Sequence, residues 1–287
     1  MADIEMFVRQ PKGYLFAEDL GLEQVVHALE PEVLTRRQSL RLLSFNIQTG
    51  VETQDFHEYV TKSWKHLLPL KERISNLNRI AELVQDFDLV GLQEVDSGSL
   101  RTGFLDQTEY LAHRARFPFW YRQVNRSLGK IAQHSNGVLS RVRPVSVDEH
   151  KLPGLRGRGA MLVELPTNRE PLLVCIMHLA LGKRGRRSQL AYISELVGEY
   201  GQLIVMGDFN CGTDSRELLE LVDNTHLRMP VCEQKTFPSW RPNRKFDHIL
   251  ISESLKLKQT MVLEHTHSDH LPVFVEIGLP EGVYLET

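Results

Sequence analysis

The sequence predicts a layered α/β fold built around one main domain, and three observations support this. Short apolar segments of strand length recur at even spacing from residue 40 towards the C-terminus. A few segments between them carry apolar residues three and four positions apart, which is the period of an amphipathic helix. The composition, with 41% hydrophobic and 25% charged residues, is that of a folded soluble chain. Many short strands interleaved with few helices favour one domain with two packed sheets.

The predicted strands are apolar runs that are too short for helices and end at polar or turn-forming residues. In chain order they cover residues 42–47, 89–92, 137–140, 160–163, 172–176, 203–206, 249–251, 261–263 and 273–275.

Three helices are predicted between these strands. The first has Ile74, Leu77, Ala81 and Val84 on one face, and the second has Leu190, Ile193, Leu196, Val197 and Tyr200 on one face. A third, short helix over Leu218, Leu219 and Val222 is predicted to open with a capping box of Asp214 and Glu217.

Residues 1–39 precede the first strand, and we interpret them as an N-terminal extension of a main domain over residues 40–287. The formal net charge of −3 excludes a globally basic nucleic-acid-binding surface, so any such binding must use a local patch. The three cysteines are too few and too scattered for a disulfide framework. With neither a secretory signal nor an apolar run of membrane-spanning length, we expect a cytoplasmic protein without membrane insertion. No protein partner is predicted.

Several apolar strands end in an acid, an amide or an imidazole, and this is the most informative feature of the chain. These endings are Asn46, the pair Gln93 and Glu94, His178, and Asp208 with Asn210. Strand ends form a rigid rim on which chemistry is commonly placed. Burying a carboxylate costs several kcal/mol unless it is paired or bound to metal. A shared divalent cation would compensate for several such endings at one point.

Each ending taken alone has a simpler explanation. An Asp after a strand is often a turn residue or a helix cap, and a lone His in an apolar run is often a hydrogen-bonded core residue. The C-terminal group His265, His267, Asp269 and His270 could hold zinc, although no cysteine ligand supports that alternative.

The endings taken together are specific. Asn46, Gln93–Glu94, an isolated His178, the segment 207–210 (GDFN) and the segment 268–272 (SDHLP) follow in that order. This set resembles the endonuclease/exonuclease/phosphatase superfamily, the DNase I-like metal-dependent phosphohydrolases, over about residues 40–278. The resemblance implies a four-layer α/β sandwich with two central mixed β-sheets. It also implies that residues 40–287 are a catalytic domain.

The resemblance implies hydrolysis of a phosphate ester by in-line attack of water. Glu94 would be the main metal carboxylate, with Asn46 and Asp269 beside it. Mg²⁺ is the expected ion and Mn²⁺ its substitute, because a hard cation suits oxygen ligands.

The resemblance also implies the catalytic residues. Asp208 would orient or deprotonate the attacking water, and Asn210 would hold a phosphoryl oxygen. His270 would act as general acid or base and be oriented by Asp247, unless Asp247 is only a buried partner of backbone amides. His178 would bind the scissile phosphate and stabilise the leaving oxygen.

Basic residues near these positions suggest the substrate. We predict substrate contacts from Asn136, Arg158, Arg184, Arg186 and Arg187, and we interpret residues 183–187 as a basic loop. A basic loop beside the site suits an extended polyanion, so the expected activity is a nuclease on DNA or RNA. A phosphodiesterase or phosphatase acting on a small phosphoester or a phospholipid headgroup is the alternative. A non-catalytic binding protein of the same fold is a third interpretation, against which the complete set of site residues argues.

Overall fold

Two six-stranded mixed β-sheets lie face to face in the computed structural model, which describes residues 37–50, 70–128, 131–154 and 156–286. The first sheet has the strand order β11-β12-β1-β2-β4-β3. Its strands are β1 (Ser39–Asn46), β2 (Leu89–Val95), β3 (Phe119–Leu128), β4 (Ala132–Ser140), β11 (Lys256–Val262) and β12 (Val273–Gly278). The second sheet has the order β5-β6-β7-β8-β10-β9. Its strands are β5 (Ser146–Lys151), β6 (Gly159–Leu165), β7 (Leu172–His178), β8 (Leu203–Asp208), β9 (Leu227–Arg228) and β10 (Asp247–Ser252).

Four described helices complete the outer layers. Helices α1 (Leu70–Val84) and α2 (Gln107–Arg114) cover the first sheet, whereas α3 (Lys183–Val197) and α4 (Arg216–Asn224) cover the second. One apolar cluster fills the space between the sheets, and a further cluster lies under each helical layer. The predicted four-layer α/β sandwich is therefore confirmed.

Each sheet has one parallel pair of strands at its centre, and this pair decides where the polar strand ends lie. Strands β1 and β2 are parallel in the first sheet, with Asn46 opposite Gln93. Strands β7 and β8 are parallel in the second sheet, with His178 opposite Asp208. Because parallel strands end at the same edge, each sheet brings two polar endings together. Contacts of β8 with β1 and β2 place the two edges against each other.

The nine predicted strands are all present, most of them longer than predicted. The prediction missed β3, β5, β9 and α2, because their sequences mix polar and apolar residues without a clean period. Strand β5, SVDEHK, lies at a sheet edge with most of its side chains accessible, so it carries little apolar signal.

Three local predictions about helices are wrong. Ser215, rather than Asp214, is the N-cap of α4, and no side-chain hydrogen bond forms there, so the predicted capping box is absent. Residues 183–187 are not a loop but the first turns of α3, because the chain turns directly into a helix after Gly182. Tyr200 lies beyond the end of α3.

We predicted an N-terminal extension over residues 1–39. Its residues 1–36 lie outside the described part of the chain. Among the described helices, none combines the length and apolar character needed to cross a bilayer. The cytoplasmic location stays a prediction.

Gly207 is the residue that allows β8 to approach β7 next to Asp208. Its φ is +149°, and a Cβ added there would lie 1.9 Å from the carbonyl oxygen of Met177. We expect Gly207→Ala to lower the free energy of unfolding by about 3 kcal/mol or more, because the obstacle is backbone that cannot rotate away. Gly182→Ala is the control, since nothing lies within 4 Å of its added Cβ and its φ is −87°. Urea denaturation of both variants measures the effect, and equal stabilities would contradict it.

Candidate active site

The facing edges of the two sheets form one polar site at the end of the sandwich. Asn46 and Glu94 come from the first sheet, and His178 and Asp208 come from the second. Asp247 begins β10 and pairs with Asp208 across the antiparallel β8–β10 ladder. Asp269 and His270 precede β12, whose first residues pair with the end of β1. The structure thus brings the predicted catalytic and metal-binding residues to one region.

Asp208 lies at the centre of this region and is 1% exposed. Its Oδ2 accepts a hydrogen bond from Asn46 Nδ2 at 3.1 Å, which joins the two sheets directly. Its Oδ1 accepts from the backbone N–H of Asn210 at 2.9 Å. Two imidazoles approach the same Oδ2, His178 Nε2 at 3.4 Å and His270 Nε2 at 3.8 Å. Asp208 is therefore the carboxylate that contacts both candidate catalytic histidines.

His270 and Asp247 form the buried imidazole–carboxylate pair that the resemblance implied. His270 Nδ1 lies 2.8 Å from Asp247 Oδ2, so Nε2 is the ring nitrogen directed towards Asp208. Asp247 Oδ1 is buried and has no hydrogen-bond partner among the described residues. The pair fixes the orientation of the imidazole, as expected for an acid or base oriented by a carboxylate.

The pKa values of the two histidines are shifted in opposite directions. Burial, together with the positive charges of Arg158, His270 and His134, lowers the pKa of His178 well below 6.5. Burial alone would also lower the pKa of His270, but the carboxylates around it outweigh this effect and raise that pKa well above 6.5. Near neutral pH, His178 is a neutral hydrogen-bonding group and His270 is a cation. Such a difference separates the roles of two like groups in one site.

The carboxylates carry more negative charge than their neighbours balance. Burial raises the pKa of Asp208 to about 7, although His270 partly offsets it. Burial also raises the pKa of Asp269 to about 6, and the nearby charge of Glu94 adds to the rise. Both shifts show that further positive charge at this point would be stabilising.

A divalent cation fits this requirement. The predicted ligands Glu94 and Asp269 offer hard oxygen atoms, as Mg²⁺ prefers, and the charge of Glu94 reaches Asp269. Among the described residues, Asp208, Asp247 and His270 form a second grouping whose ligand atoms lie within 4.8 Å of one another. We explain that grouping by the hydrogen bond between His270 Nδ1 and Asp247 Oδ2 at 2.8 Å, which pairs two of its three members with each other. The assignment of Asn46, Glu94 and Asp269 as ligands stays a prediction.

Two site residues, Glu94 and Asn210, have left-handed backbone. Glu94 has φ +56° at a register shift in β2, and Asn210 has φ +53° directly after β8. Left-handed conformations are rare for residues other than glycine and cluster at functional sites. At Asn210 this conformation lets the side-chain amide donate to the carbonyl oxygen of Leu179 at 2.9 Å. The chain segments that follow β7 and β8 are thereby tied together.

Two of the predicted substrate-binding residues lie beside the site. Asn136 is fully buried opposite the bulged part of β2, and its Nδ2 donates to the carbonyl oxygen of Gly159 at 3.0 Å. Its Oδ1 has no hydrogen-bond partner in the described parts of the chain. Arg158 is half-buried and near enough to lower the pKa of His178. Both placements are compatible with contact to a bound phosphate.

The basic residues after His178 lie in α3, and two of them bind acids of α4. Arg186 donates through Nε to Glu217 Oε1 at 2.9 Å and through Nη1 to the carbonyl oxygen of Leu181. Arg187 forms a second ion pair with Glu220, at 3.1 Å. Arg186 and Arg187 therefore link α3 to α4, and their predicted substrate contacts stay a prediction. Arg184 is exposed, and its predicted contact is untested.

The alternative of a zinc cluster finds no support in the geometry of its histidines. The rings of His265 and His267 pack edge to face with centroids 4.4 Å apart, and His265 also packs against Phe45. Neither residue belongs to a metal-compatible grouping of the described residues. Burial lowers the pKa of His265 to about 4.

Sequence reasoning missed the residues that hold the site residues in place. Gln123 receives a hydrogen bond from Asn136 and donates to the carbonyl oxygen of Ala160. Ser268 donates to the carbonyl oxygen of Asn46 at 2.6 Å and so fixes the segment before His270 against β1. Ser268 stands beside Asp269 in the quoted motif, which was the available signal. Gln123 lies in the strand β3 that the prediction missed.

Known proteins resemble this chain along nearly its whole length. The sequence model of the Endonuclease/Exonuclease/phosphatase family matches residues 43–270. The uncharacterized protein YbhP of Escherichia coli K12 is 26% identical over 266 residues, which cover 85% of this chain and 98% of YbhP.

Solved structures agree on the fold. An endonuclease/exonuclease/phosphatase from Beutenbergia cavernae superposes with a TM-score of 0.64 at 20% identity, covering 85% of this chain and 72% of that one. The mannosyl-6-phosphatase of Bacteroides thetaiotaomicron superposes with a TM-score of 0.62, also at 20% identity, covering 83% of this chain and 99% of its own.

We expect Arg186→Met to destabilise the protein, because it leaves the carboxylate of Glu217 buried without its partner. Arg186 is 11% exposed and Glu217 is 1% exposed, so the expected loss is about 3–5 kcal/mol. Arg187→Met is the control, since that arginine is 61% exposed and its ion pair contributes less than about 1 kcal/mol. Urea denaturation compares the two variants, and similar losses would show that the buried pair has no special weight.

Proposed function

The chain belongs to the endonuclease/exonuclease/phosphatase family, whose members are hydrolases acting on phosphoesters, and from that premise we propose a divalent-metal-dependent phosphodiesterase. Water attacks phosphorus in line with the leaving oxygen. The observation that carries this proposal is the convergence of Asn46, His178 and His270 on the buried carboxylate of Asp208. No core-packing requirement explains one neutral and one protonated imidazole around one buried carboxylate.

Asp208 is the residue that orients and deprotonates the attacking water. Burial raises the pKa of Asp208, which makes its carboxylate a stronger base than a solvated one. Asn46 and the backbone N–H of Asn210 each hold one carboxylate oxygen, so the direction of the remaining lone pairs is fixed. When bound by Glu94, Asp269 and Asn46, Mg²⁺ or Mn²⁺ supplies Lewis-acid stabilisation of the charge on the phosphoryl oxygens.

His270 and His178 divide the remaining tasks. His270 is kept protonated by Asp247 and donates its Nε2 proton to the leaving oxygen as the phosphorus–oxygen bond breaks. His178 is neutral and donates a hydrogen bond to a phosphoryl oxygen without adding charge. Arg158 and Asn136 lie beside His178 and bind the same phosphate group.

The substrate class is a small phosphodiester or a headgroup phosphodiester rather than a nucleic-acid strand. The expectation of a nuclease rested on basic residues near the site. The ion pairs that some of these residues form within the protein weaken that expectation. Arg186 and Arg187 are paired with acids of α4. The mannosyl-6-phosphatase of the same fold acts, by its name, on a sugar phosphate, so this fold can accommodate a small phosphoester. Arg184 is exposed and favours the nuclease as the second candidate.

We expect chelation to abolish hydrolysis without unfolding the protein, because the site lies at the rim of the sandwich and not in its core. Excess EDTA should remove turnover of bis(4-nitrophenyl) phosphate, and added Mg²⁺ or Mn²⁺ should restore it. Circular dichroism before and after chelation serves as the control for the fold. Full activity of a metal-free preparation in EDTA would refute the proposed role of the cation.

Asp208→Asn and His270→Gln should each lower kcat by about 10² or more with little change in KM, because both groups act on protons in the transition state. The fold-decrease in kcat of the double variant should be far smaller than the product of the two single decreases, since both residues serve one step. The controls Asp214→Asn and His226→Gln change exposed residues of the same types. Steady-state kinetics with bis(4-nitrophenyl) phosphate measure kcat and KM for each variant. A variant that keeps kcat within about threefold of wild type would remove its residue from the mechanism.

A further inference from the structure

Three amide side chains stand in a row on the first sheet at the level of the candidate active site. Asn46, Gln93 and Asn136 lie on the adjacent strands β1, β2 and β4, and each is at most 1% exposed. Asn46 is the register partner of Gln93, and Asn136 precedes Gly137, the register partner of Leu92. Gln93 therefore lies between the other two amides, on the middle strand of the three.

The two outer amides each donate a hydrogen bond to the second sheet. Asn46 donates to Asp208 at the end of β8, and Asn136 donates to the carbonyl oxygen of Gly159 at the start of β6. Gln93 differs from both, because its Oε1 and Nε2 atoms are buried and have no hydrogen-bond partner among the described residues. A buried polar group of this kind points to a bound water or to a role in catalysis.

The outer hydrogen bonds place Gln93 opposite His178. Gly159 and Asp208 are the register partners of His178 on its two sides, in the β6–β7 and β7–β8 ladders. In the second sheet His178 thus lies between the two residues that the outer amides bind. Contacts between β2 and β7 agree with this alignment of the two middle strands.

Gly91 gives a second indication of where Gln93 points, because side chains two positions apart on a strand point the same way. A Cβ added to Gly91 would lie 2.5 Å from the side chain of Met206 and 3.1 Å from that of Ile176. This face of β2 is therefore directed at the second sheet. Two residues beyond Ile176 stands His178, as Gln93 stands two residues beyond Gly91.

The surroundings of His178 decide which of its ring nitrogens needs a donor. Nε2 lies 3.4 Å from Asp208 Oδ2 and 3.9 Å from Glu94 Oε1. Ionised carboxylate oxygens only accept hydrogen bonds, so these neighbours favour the ring hydrogen on Nε2. Nδ1 is then an acceptor. The Nε2 amide group of Gln93 is a buried donor on the opposite strand.

We propose that Gln93 is a positioning residue that fixes the tautomer of His178 through one buried water. The water accepts from Gln93 Nε2 and donates to His178 Nδ1 and to Asn136 Oδ1, which is also buried without a partner among the described residues. Three hydrogen bonds are the usual number for a buried water. The role in catalysis rests on the proposed function, in which Nε2–H of His178 donates to a phosphoryl oxygen. The tautomer itself requires no catalysis.

The test is a long-range ¹H–¹⁵N correlation spectrum of the labelled protein, recorded in EDTA at neutral pH. The ¹⁵N resonance of Nδ1 distinguishes a nitrogen that carries hydrogen, one that accepts a hydrogen bond and one that does neither. Gln93→Met keeps the length of the side chain and removes the donor, whereas Gln93→Glu replaces the donor with an acceptor. Gln202→Met and Gln202→Glu are the matched controls, because Gln202 is 7% exposed and precedes β8, far from Asp208 at its other end.

We expect the wild type and both controls to carry hydrogen on Nε2 of His178, with Nδ1 accepting a hydrogen bond. Gln93→Met should move the Nδ1 resonance to that of a nitrogen without a hydrogen bond, and Gln93→Glu should place hydrogen on Nδ1. Gln93→Met should also lower kcat/KM for bis(4-nitrophenyl) phosphate by about tenfold or more, because a misplaced binding group loses rate steeply.

A wild-type protein with hydrogen on Nδ1 would overturn the proposal without any variant. An Nδ1 resonance that both Gln93 variants leave unchanged would also overturn it, and any loss of stability would then show that Gln93 is only structural. Hydrolysis of the diester by the wild type with Mg²⁺ tests the proposed function separately. The expected spectra without hydrolysis would refute the phosphodiesterase alone, and hydrolysis with unchanged spectra would refute the role of Gln93 alone.

Discussion

The site depends on one constraint, which is that carboxylates are buried between two apolar sheets. Asp208 and Asp247 are almost fully buried, and each buried charge costs several kcal/mol unless a partner compensates for it. The two carboxylates belong to the second sheet, whereas their partners come from the first sheet. The amide of Asn46 stands at the end of β1, and the imidazole of His270 stands in the segment that leads into β12. The sandwich must therefore hold its sheets in a fixed relation at this end, where a small displacement would leave a charge without its partner.

Much of this arrangement could be predicted from the sequence, because a polar residue that ends an apolar strand is conspicuous. Asn46, His178 and Asp208 are such residues, and the two parallel pairs bring them to one edge. The partnership of Asp247 with His270 came from the family pattern instead. Twenty-three residues separate the two, and only the folded chain places their side chains 2.8 Å apart.

The errors share a physical cause, namely that local sequence does not reveal tertiary partners. Residues 183–187, four basic residues around a glycine, are typical of a basic loop that contacts substrate. In the folded chain Arg186 is largely buried and forms an ion pair with Glu217 of α4. The sequence gives no sign that α4 packs against these residues. Strand β3 was missed because its polar Gln123 faces a buried carbonyl group rather than solvent.

The left-handed backbone at Glu94 has a consequence for how the protein can be engineered. That conformation costs less for glycine or asparagine than for glutamate, so substitution at this position would relieve strain. Selection for heat resistance alone would accordingly reward the loss of the carboxylate that we assign to the cation. Stability and activity are opposed at this one residue, and a screen that scores only the folded fraction would enrich inactive variants.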